Sequence, residues 1–268
     1  MRQKYDLKDV YTGAVEDVLT AATASRNPLS LDILFDLASE YGVNYDSLVL
    51  DVGCANGGNS RELMARTGCK IEGVDFLLHL VAMGKAENKE AGVEGRFKIQ
   101  HGSITDIPFA DDYFDFVFCR DTLTLIDDLP KALAECRRVL KPDRFMLIYM
   151  TLATSRLSPE ERRALNDPLS NVDNSMNERY VETCFTEEFA IVRKIVVGSQ
   201  GRQYTEESGD HDTTQGLLSI ARLLTWPEYF IEKYGQKTYH IALAEAHWGV
   251  YQMLGKLSPT IYVLQNNR

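Results

Sequence analysis

Val49-Leu50-Asp51-Val52-Gly53-Cys54-Ala55-Asn56-Gly57-Gly58-Asn59-Ser60 is the stretch whose reading decides the fold. Its first part, Leu48–Val52, is aliphatic and β-branched with one acid, the pattern of a buried parallel strand. Three glycines and an alanine then fall within six residues, and a polar run through Asn59 and Ser60 opens a helical pattern. A strand that breaks into a glycine turn before a helix brings backbone N–H groups close to a ligand, with no Cβ in the way. An ordinary tight strand-to-helix turn is the plainer reading of the glycines alone.

The next strand gives the turn its meaning. Lys70–Phe76 ends Gly73-Val74-Asp75-Phe76, placing an acid at a strand end about 20 residues further on, where it can accept hydrogen bonds from ribose hydroxyls. At these residues the chain resembles the class I S-adenosylmethionine (SAM)-dependent methyltransferases, which carry an acid-x-Gly-x-Gly-x-Gly loop without a phosphate partner. Asp51, Gly53, Ala55 and Gly57 occupy that pattern, Ala55 standing in for the middle glycine. A nicotinamide-binding loop would instead read Gly-x-Gly-x-x-Gly, which Gly53–Gly58 does not.

Three later segments extend the resemblance. His101-Gly102-Ser103-Ile104-Thr105-Asp106 is similar to the family's adenine-contact segment, with Ser103 where an acid usually follows the glycine. A serine hydroxyl accepts from an amine more weakly than a carboxylate does. Asp106 is either a substitute or a turn cap. Phe114-Asp115-Phe116-Val117-Phe118-Cys119-Arg120-Asp121 resembles the fourth strand, whose exit lies beside the reactive sulfonium, and Arg120 and Asp121 close it. A surface salt bridge is the alternative reading of that pair. Arg138-Val139-Leu140-Lys141-Pro142 repeats the family's turn into strand five.

The resemblance covers about Leu48 to Met150. It implies SAM as cofactor, with Asp51, Gly53, Cys54, Ala55, Gly57, Asp75, Phe76, Ser103, Ile104 and Arg120 as its contacts. Around the reacting centre the candidates are Asp121, Arg120, Tyr11 on an N-terminal arm, and His211, with His101 as a further base. The implied fold is α/β, a Rossmann-like seven-stranded mixed sheet with strand 7 antiparallel and helices on both faces.

The remaining pattern is this chain's own. Helical stretches at Gly13–Ser25 and Leu29–Gly42 precede the first strand. They read as an N-terminal helical lid over residues 1–46, or as helices that merely pack on the sheet. Residues 48–150 are the SAM-binding core. Ser158-Pro159-Glu160-Glu161 starts a helix with cap, proline and acids, and Phe189–Val197 reads as strand six. Thr214–Leu224, Trp226–Tyr234 and Thr238–Leu257 are helical patterns, and Pro259–Gln265 the last strand. A helical cap insert, 199–257, therefore lies between strands six and seven of one domain, 1–268. Within it the acid-rich Gln200–Gln215 reads as a solvated loop. His240 and His247 lie seven apart on one helix face, whereas metal pairs usually sit four apart, so no metal is expected.

Composition narrows the partners. The 268 residues are 44% hydrophobic and 25% charged, ordinary for a globular chain. A formal charge of −10 without a basic run argues against nucleic acid. Five scattered cysteines suit a reducing, cytoplasmic setting. The charged Met1–Val10 reads as no signal peptide, and no apolar run is long enough for a membrane partner. The expected partner is a small-molecule acceptor, with a homodimer left open.

Three functions follow. The first is methyl transfer from SAM to a small molecule by in-line displacement. The second uses SAM itself as substrate or non-methyl donor and releases methylthioadenosine. The third is a catalytically silent SAM-binding partner.

Overall fold

The computed structural model describes residues 13–268. Its centre is a seven-stranded sheet in the order β3-β2-β1-β4-β5-β7-β6. The strands are β1 (Leu48–Val52), β2 (Lys70–Asp75), β3 (Phe97–His101), β4 (Phe114–Arg120), β5 (Leu140–Ala153), β6 (Ala190–Val196) and β7 (Leu257–Gln265). β1 to β5 pair in parallel, and β7 runs antiparallel to both β5 and β6, as the resemblance implied.

Helices α1 (Gly13–Thr23) and α2 (Ile33–Glu40) precede β1, α3 (Gly58–Thr67) follows it, and α4 (Leu78–Glu90) joins β2 to β3. α5 (Leu129–Val139) leads into β5, followed by α6 (Pro159–Leu169) and α7 (Glu178–Glu188). Between β6 and β7 come α8 (Gln200–Glu207), α9 (Asp212–Thr225), α10 (Pro227–Tyr234) and α11 (Gln236–Met253).

Alternation along the central strands explains the layers. Leu50, Val117, Ile148 and Tyr262 pack in one core, with α5 and α7 over it. Val49, Phe118, Tyr149 and Val263 pack in the other, with α2 and α4 over it. A two-residue period puts neighbours on opposite faces, so both faces of the sheet are buried. The same period puts Asp51 on the Val49 face, towards α3. The chain proceeds outward from β1 through β2 to β3, then returns to the other side of β1 as β4. That reversal opens a crevice at the carboxyl ends of β1 and β4, the usual ligand position in such sheets.

The insert differs from the expected loop. Gln200–Gln215 forms α8 and the start of α9, joined by a turn in which His211 has a φ of +55°. Glu206 makes this possible: its carboxylate accepts from the Thr213 and Thr214 N–H groups at 2.7 and 3.0 Å, capping α9. Such capping by a residue of the preceding helix leaves no periodic signal. The first strand-facing helix is also shorter than expected, since Leu29 and Leu31 pack on the core ahead of α2. α6 starts as foreseen, with a Ser158–Glu161 capping box. Leu157, Leu165, Met176, Ala244 and Leu257 form a small core beneath α11. Among the described residues no helix is long and apolar enough to cross a membrane.

Candidate active site

The site begins where β1 ends. Gly53 has a φ of +73°, and a Cβ there would overlap the Thr122 side chain. Thr122 leaves β4, and its hydroxyl reaches the carbonyls of Val52, Gly53 and Arg120 at 3.2–3.5 Å. Glycine is thus required both by its backbone and by the close approach of the two strand exits. Ala55 also sits at positive φ, +49°, where a glycine would be unstrained.

Four of the turn's N–H groups are taken within the protein, whereas among the described residues nothing accepts from those of Asn56 and Gly58. Gly53 and Cys54 donate to Val74 O, Ala55 donates to Asp75 Oδ2 at 2.8 Å, and Gly57 donates to Cys54 O. Sequence reasoning expected these donors to face a ligand; instead they fix the loop against β2. On the loop's far side Arg61 pairs with Glu87 and donates to Asn56 O at 2.9 Å, tying it to α4. The glycines therefore supply backbone shape and room, and the Asn56 and Gly58 N–H groups stay available beside the side chains of the cleft.

Asp51 is one of these side chains. It is buried, and Ser60 Oγ donates to its Oδ2 at 2.5 Å. No described group donates to Oδ1. Burial and, secondarily, the nearby Asp75 carboxylate push its pKa up to about 7 against the Ser60 bond. A buried acid with one unpartnered oxygen suits a cationic ligand.

Asp51 lines a cleft of about 440 Å³ with Gly53, Ala55, Asn59, Arg120 and Asp121. Arg120 Nη1 donates to Asn59 Oδ1 at 2.5 Å, and its guanidinium lies 5.5 Å from the Tyr149 ring centre. Arg120 and Asp121 also line a second cavity of about 190 Å³, walled by Tyr149, Arg202, Trp248 and Gln252. Two spaces, one over the glycine turn and one under the inserted helices, meet at this pair.

Asp121 is held firmly there. Its φ is +54°, a strained value for a residue with a Cβ and one that collects at functional positions. Its N–H donates to Tyr149 O at 2.8 Å. Thr151 Oγ1 donates to its Oδ1 at 3.3 Å, Gln252 Nε2 donates to Thr151 Oγ1 at 3.3 Å, and Arg202 Nε donates to Gln252 Oε1 at 2.7 Å. Asp121 keeps solvent exposure at this junction, while the protein packed around its carboxyl raises its pKa to about 6, with the Arg120 charge and the Thr151 bond opposing.

The other expected residues divide. Asp75 is buried, its Oδ1 accepting from Leu77 N–H at 2.8 Å and its Oδ2 from Ala55. Phe76 follows it, 71% exposed, with His101 5.9 Å away ring to ring. Ser103 turns its hydroxyl to Thr105, and Ile104 buries its side chain in the core. Cys54 is buried against Gly73, with its thiol pKa driven up chiefly by burial.

His211 does not join the site. It is 61% exposed on the turn before α9, with Nδ1 3.6 Å from Glu206 Oε2, and does not line the cavity that Asp121 and its own neighbour Asp212 line. Tyr11 lies outside the described residues. His240 and His247 line a separate cavity of about 640 Å³ between α6 and α11, and the His247 Nδ1–H donates to its own helix at Leu243 O. Sequence reasoning missed Thr122, Tyr149, Thr151, Arg202 and Gln252. Tyr149 and Thr151 differ from core strand residues only in their hydroxyls, and Arg202 and Gln252 lie outside the family pattern.

Residues 50–148 match the family described as "Methyltransferase domain". The chain is 34% identical over 115 residues to sterol methyltransferase-like 2 of Botryococcus braunii, covering 43% of this chain and 30% of that one. It is 30% identical over 135 residues to the sarcosine/dimethylglycine N-methyltransferase of Halorhodospira halochloris, covering 50% and 47%. These matches span less than half the length of either relative. Among solved structures, geranyl diphosphate C-methyltransferase from Streptomyces coelicolor, in complex with Mg2+, geranyl diphosphate and S-adenosyl-L-homocysteine, superposes with a TM-score of 0.63. It is 14% identical and covers 88% of this chain and 77% of that one, a likeness of fold.

Proposed function

We infer, from the premise that its core makes this chain a class I SAM-dependent methyltransferase, that it methylates a small molecule held beneath α8 to α11. The observation that carries this is the meeting of the two cavities at Arg120 and Asp121. One space suits the donor, the other an acceptor, and the shared wall is where a group would pass between them.

SAM supplies a methyl group on a positive sulfur, and transfer leaves the S–CH3 bonding pair on that sulfur. The residues present fit such a donor. Asp51, with one free carboxylate oxygen in the cleft, suits its ammonium group. Asp75, which keeps a lone pair on each oxygen beyond its two backbone bonds, suits the ribose hydroxyls. Arg120 suits the donor carboxylate. Phe76, exposed beside Asp75, offers a face for the adenine.

Asp121 then acts on the acceptor. A nucleophile that arrives protonated must lose its proton before its lone pair can take the methyl group. A carboxylate with a pKa near 6 accepts that proton at neutral pH. The fixed cavity aligns the two reactants, which is the larger part of such catalysis. The buried, unpaired state of all five cysteines fits a reducing compartment such as the cytoplasm.

The test is direct. Calorimetry should show SAM binding to the chain, and a small-molecule acceptor should be needed for S-adenosylhomocysteine to appear. Release of methylthioadenosine from SAM alone would favour donor cleavage instead. Binding without any turnover would favour a silent partner.

A further inference from the structure

We propose that Arg202 is the acceptor's anion anchor, so that the acceptor is an amino-acid-sized molecule with an anionic group at one end and a protonated nucleophile at the other. This rests on the methyl-transfer reading above.

The guanidinium of Arg202 is held but not satisfied. Its side chain is only 27% exposed. Nε donates to Gln252 Oε1 at 2.7 Å, which fixes the plane of the fork. Asp212, half-exposed and lining the same cavity, forms an ion pair with Nη1 at 3.6 Å, too long for a hydrogen bond. Among the described residues nothing accepts from Nη1 or Nη2. A part-buried cation that is ion-paired to Asp212 without a hydrogen bond, and that keeps Nη1 and Nη2 without acceptors beside a cavity, can take a carboxylate or phosphate.

The local sequence builds this placement. Arg202 lies against α11 at Gly249, where a Cβ would come within 3.2 Å of its Cζ. The absent side chain gives the guanidinium a bed on the helix. Gln252, one turn further along α11, is buried and passes the contact to Thr151 and so to Asp121. The anion-binding end and the proton-accepting end of the cavity thus belong to one hydrogen-bonded chain.

Size and charge narrow the occupant. About 190 Å³ lies below the range that drug-sized ligands occupy. Arg120 and Arg202 with Asp121 and Asp212 give the cavity both signs of charge in equal number. Apolar contact is limited to Leu31, Trp248, Pro259 and the Tyr149 ring. A small zwitterion meets each feature.

The experiment pairs each acid with the same amine lacking its carboxylate: glycine with methylamine, N-methylglycine with dimethylamine, alanine with ethylamine, serine with ethanolamine. SAM affinity is measured first by calorimetry, then S-adenosylhomocysteine release with each compound. The expected result is turnover with at least one acid and none with its paired amine. Arg202→Gln should raise the KM of that acid roughly 10- to 100-fold, as loss of a charge-assisted pair does, while leaving SAM affinity unchanged. Arg202→Lys should restore part of the loss. The inference is overturned if paired amines turn over equally well, if Arg202→Gln leaves KM unaltered, or if a chain that binds SAM methylates none of the acids. Absence of SAM binding would instead remove the methyl-transfer reading itself.

Discussion

Thr151 donates its hydroxyl to Asp121 Oδ1 at 3.3 Å, joining β5 to the residue that follows β4. Thr151 is fully buried and in turn accepts from Gln252 on α11. The acid at the junction of the two cavities is therefore oriented from the inserted helices through a neighbouring strand.

If Asp121 takes the acceptor's proton, kcat should fall about tenfold per pH unit below about 6, where the carboxylate becomes protonated. Asp121→Asn should abolish that acid limb and lower kcat roughly 10²- to 10⁴-fold, the range for a lost general base. Thr151→Val removes a bond that favours the charged form, so its acid limb should move to higher pH with a smaller loss of rate. Rate profiles across pH 5 to 8 read all three. An unchanged limb in Asp121→Asn would return Asp121 to a structural role.

Asp51 makes a different prediction, about binding. Its pKa near 7 is far above that of an unfolded aspartate, so the folded chain holds a proton that the unfolded chain has lost. Stability of the free protein should accordingly decline as pH rises from about 4 through about 7. Asp51→Asn should melt higher than the parent above pH 7, and the two should converge below about pH 4. SAM binding, if it needs the ionised acid, should weaken about tenfold per pH unit below 7, and Asp51→Asn should flatten that dependence. Calorimetry at several pH values measures both the affinity and the protons released.

Much of this was legible in the sequence, for identifiable reasons. Leu50 and Val52 on one face and Val49 on the other write a doubly buried strand. Gly53 and Asp75 write a turn and a strand-end acid at the spacing that dinucleotide folds and their relatives share. The family pattern gave the polarity of β7 and the position of Arg120 and Asp121. The relay from Arg202 to Asp121 was not legible, because it joins residues 81 positions apart through Gln252 and Thr151, whose types are unremarkable in a helix and a strand. α8 was hidden for a related reason: it is polar on most sides, and its neighbour α9 starts on a carboxylate donated from α8 itself. His211 drew notice by its residue type, while its place on an exposed left-handed turn depended on that unseen geometry.

The glycine turn predicts opposite outcomes for two neighbouring substitutions. Gly53→Ala puts a Cβ onto Thr122 at a positive φ. Overpacking and left-handed strain together should destabilise the chain by roughly 2–4 kcal/mol. Ala55→Gly releases about 1–2 kcal/mol of left-handed strain and gives back about 0.5–1 kcal/mol in unfolded-state entropy. It should be neutral or stabilising by up to about 1 kcal/mol. Denaturant unfolding of both variants checks the pair; destabilisation by Ala55→Gly would mean that the Ala55 methyl group packs more usefully than its backbone angle suggests.

Asp75 carries two duties, and its variants can separate them. Its carboxylate holds the loop through Ala55 N–H and the entry to α4 through Leu77 N–H. Asp75→Ala removes both acceptors and the proposed ribose contact, so it should weaken SAM binding by about 1–3 kcal/mol and lower stability as well. Asp75→Asn keeps one acceptor oxygen and can hold only one of the two backbone groups through it. If the loss of affinity comes from the sugar contact, Asp75→Asn should bind SAM better than Asp75→Ala, yet not as well as the parent. A donor analogue without ribose hydroxyls should then bind parent and Asp75→Ala with much closer affinities, because only the loop effect remains. Calorimetry with SAM and with that analogue separates the two duties, and equal SAM affinity in parent and Asp75→Ala would remove Asp75 from the donor site.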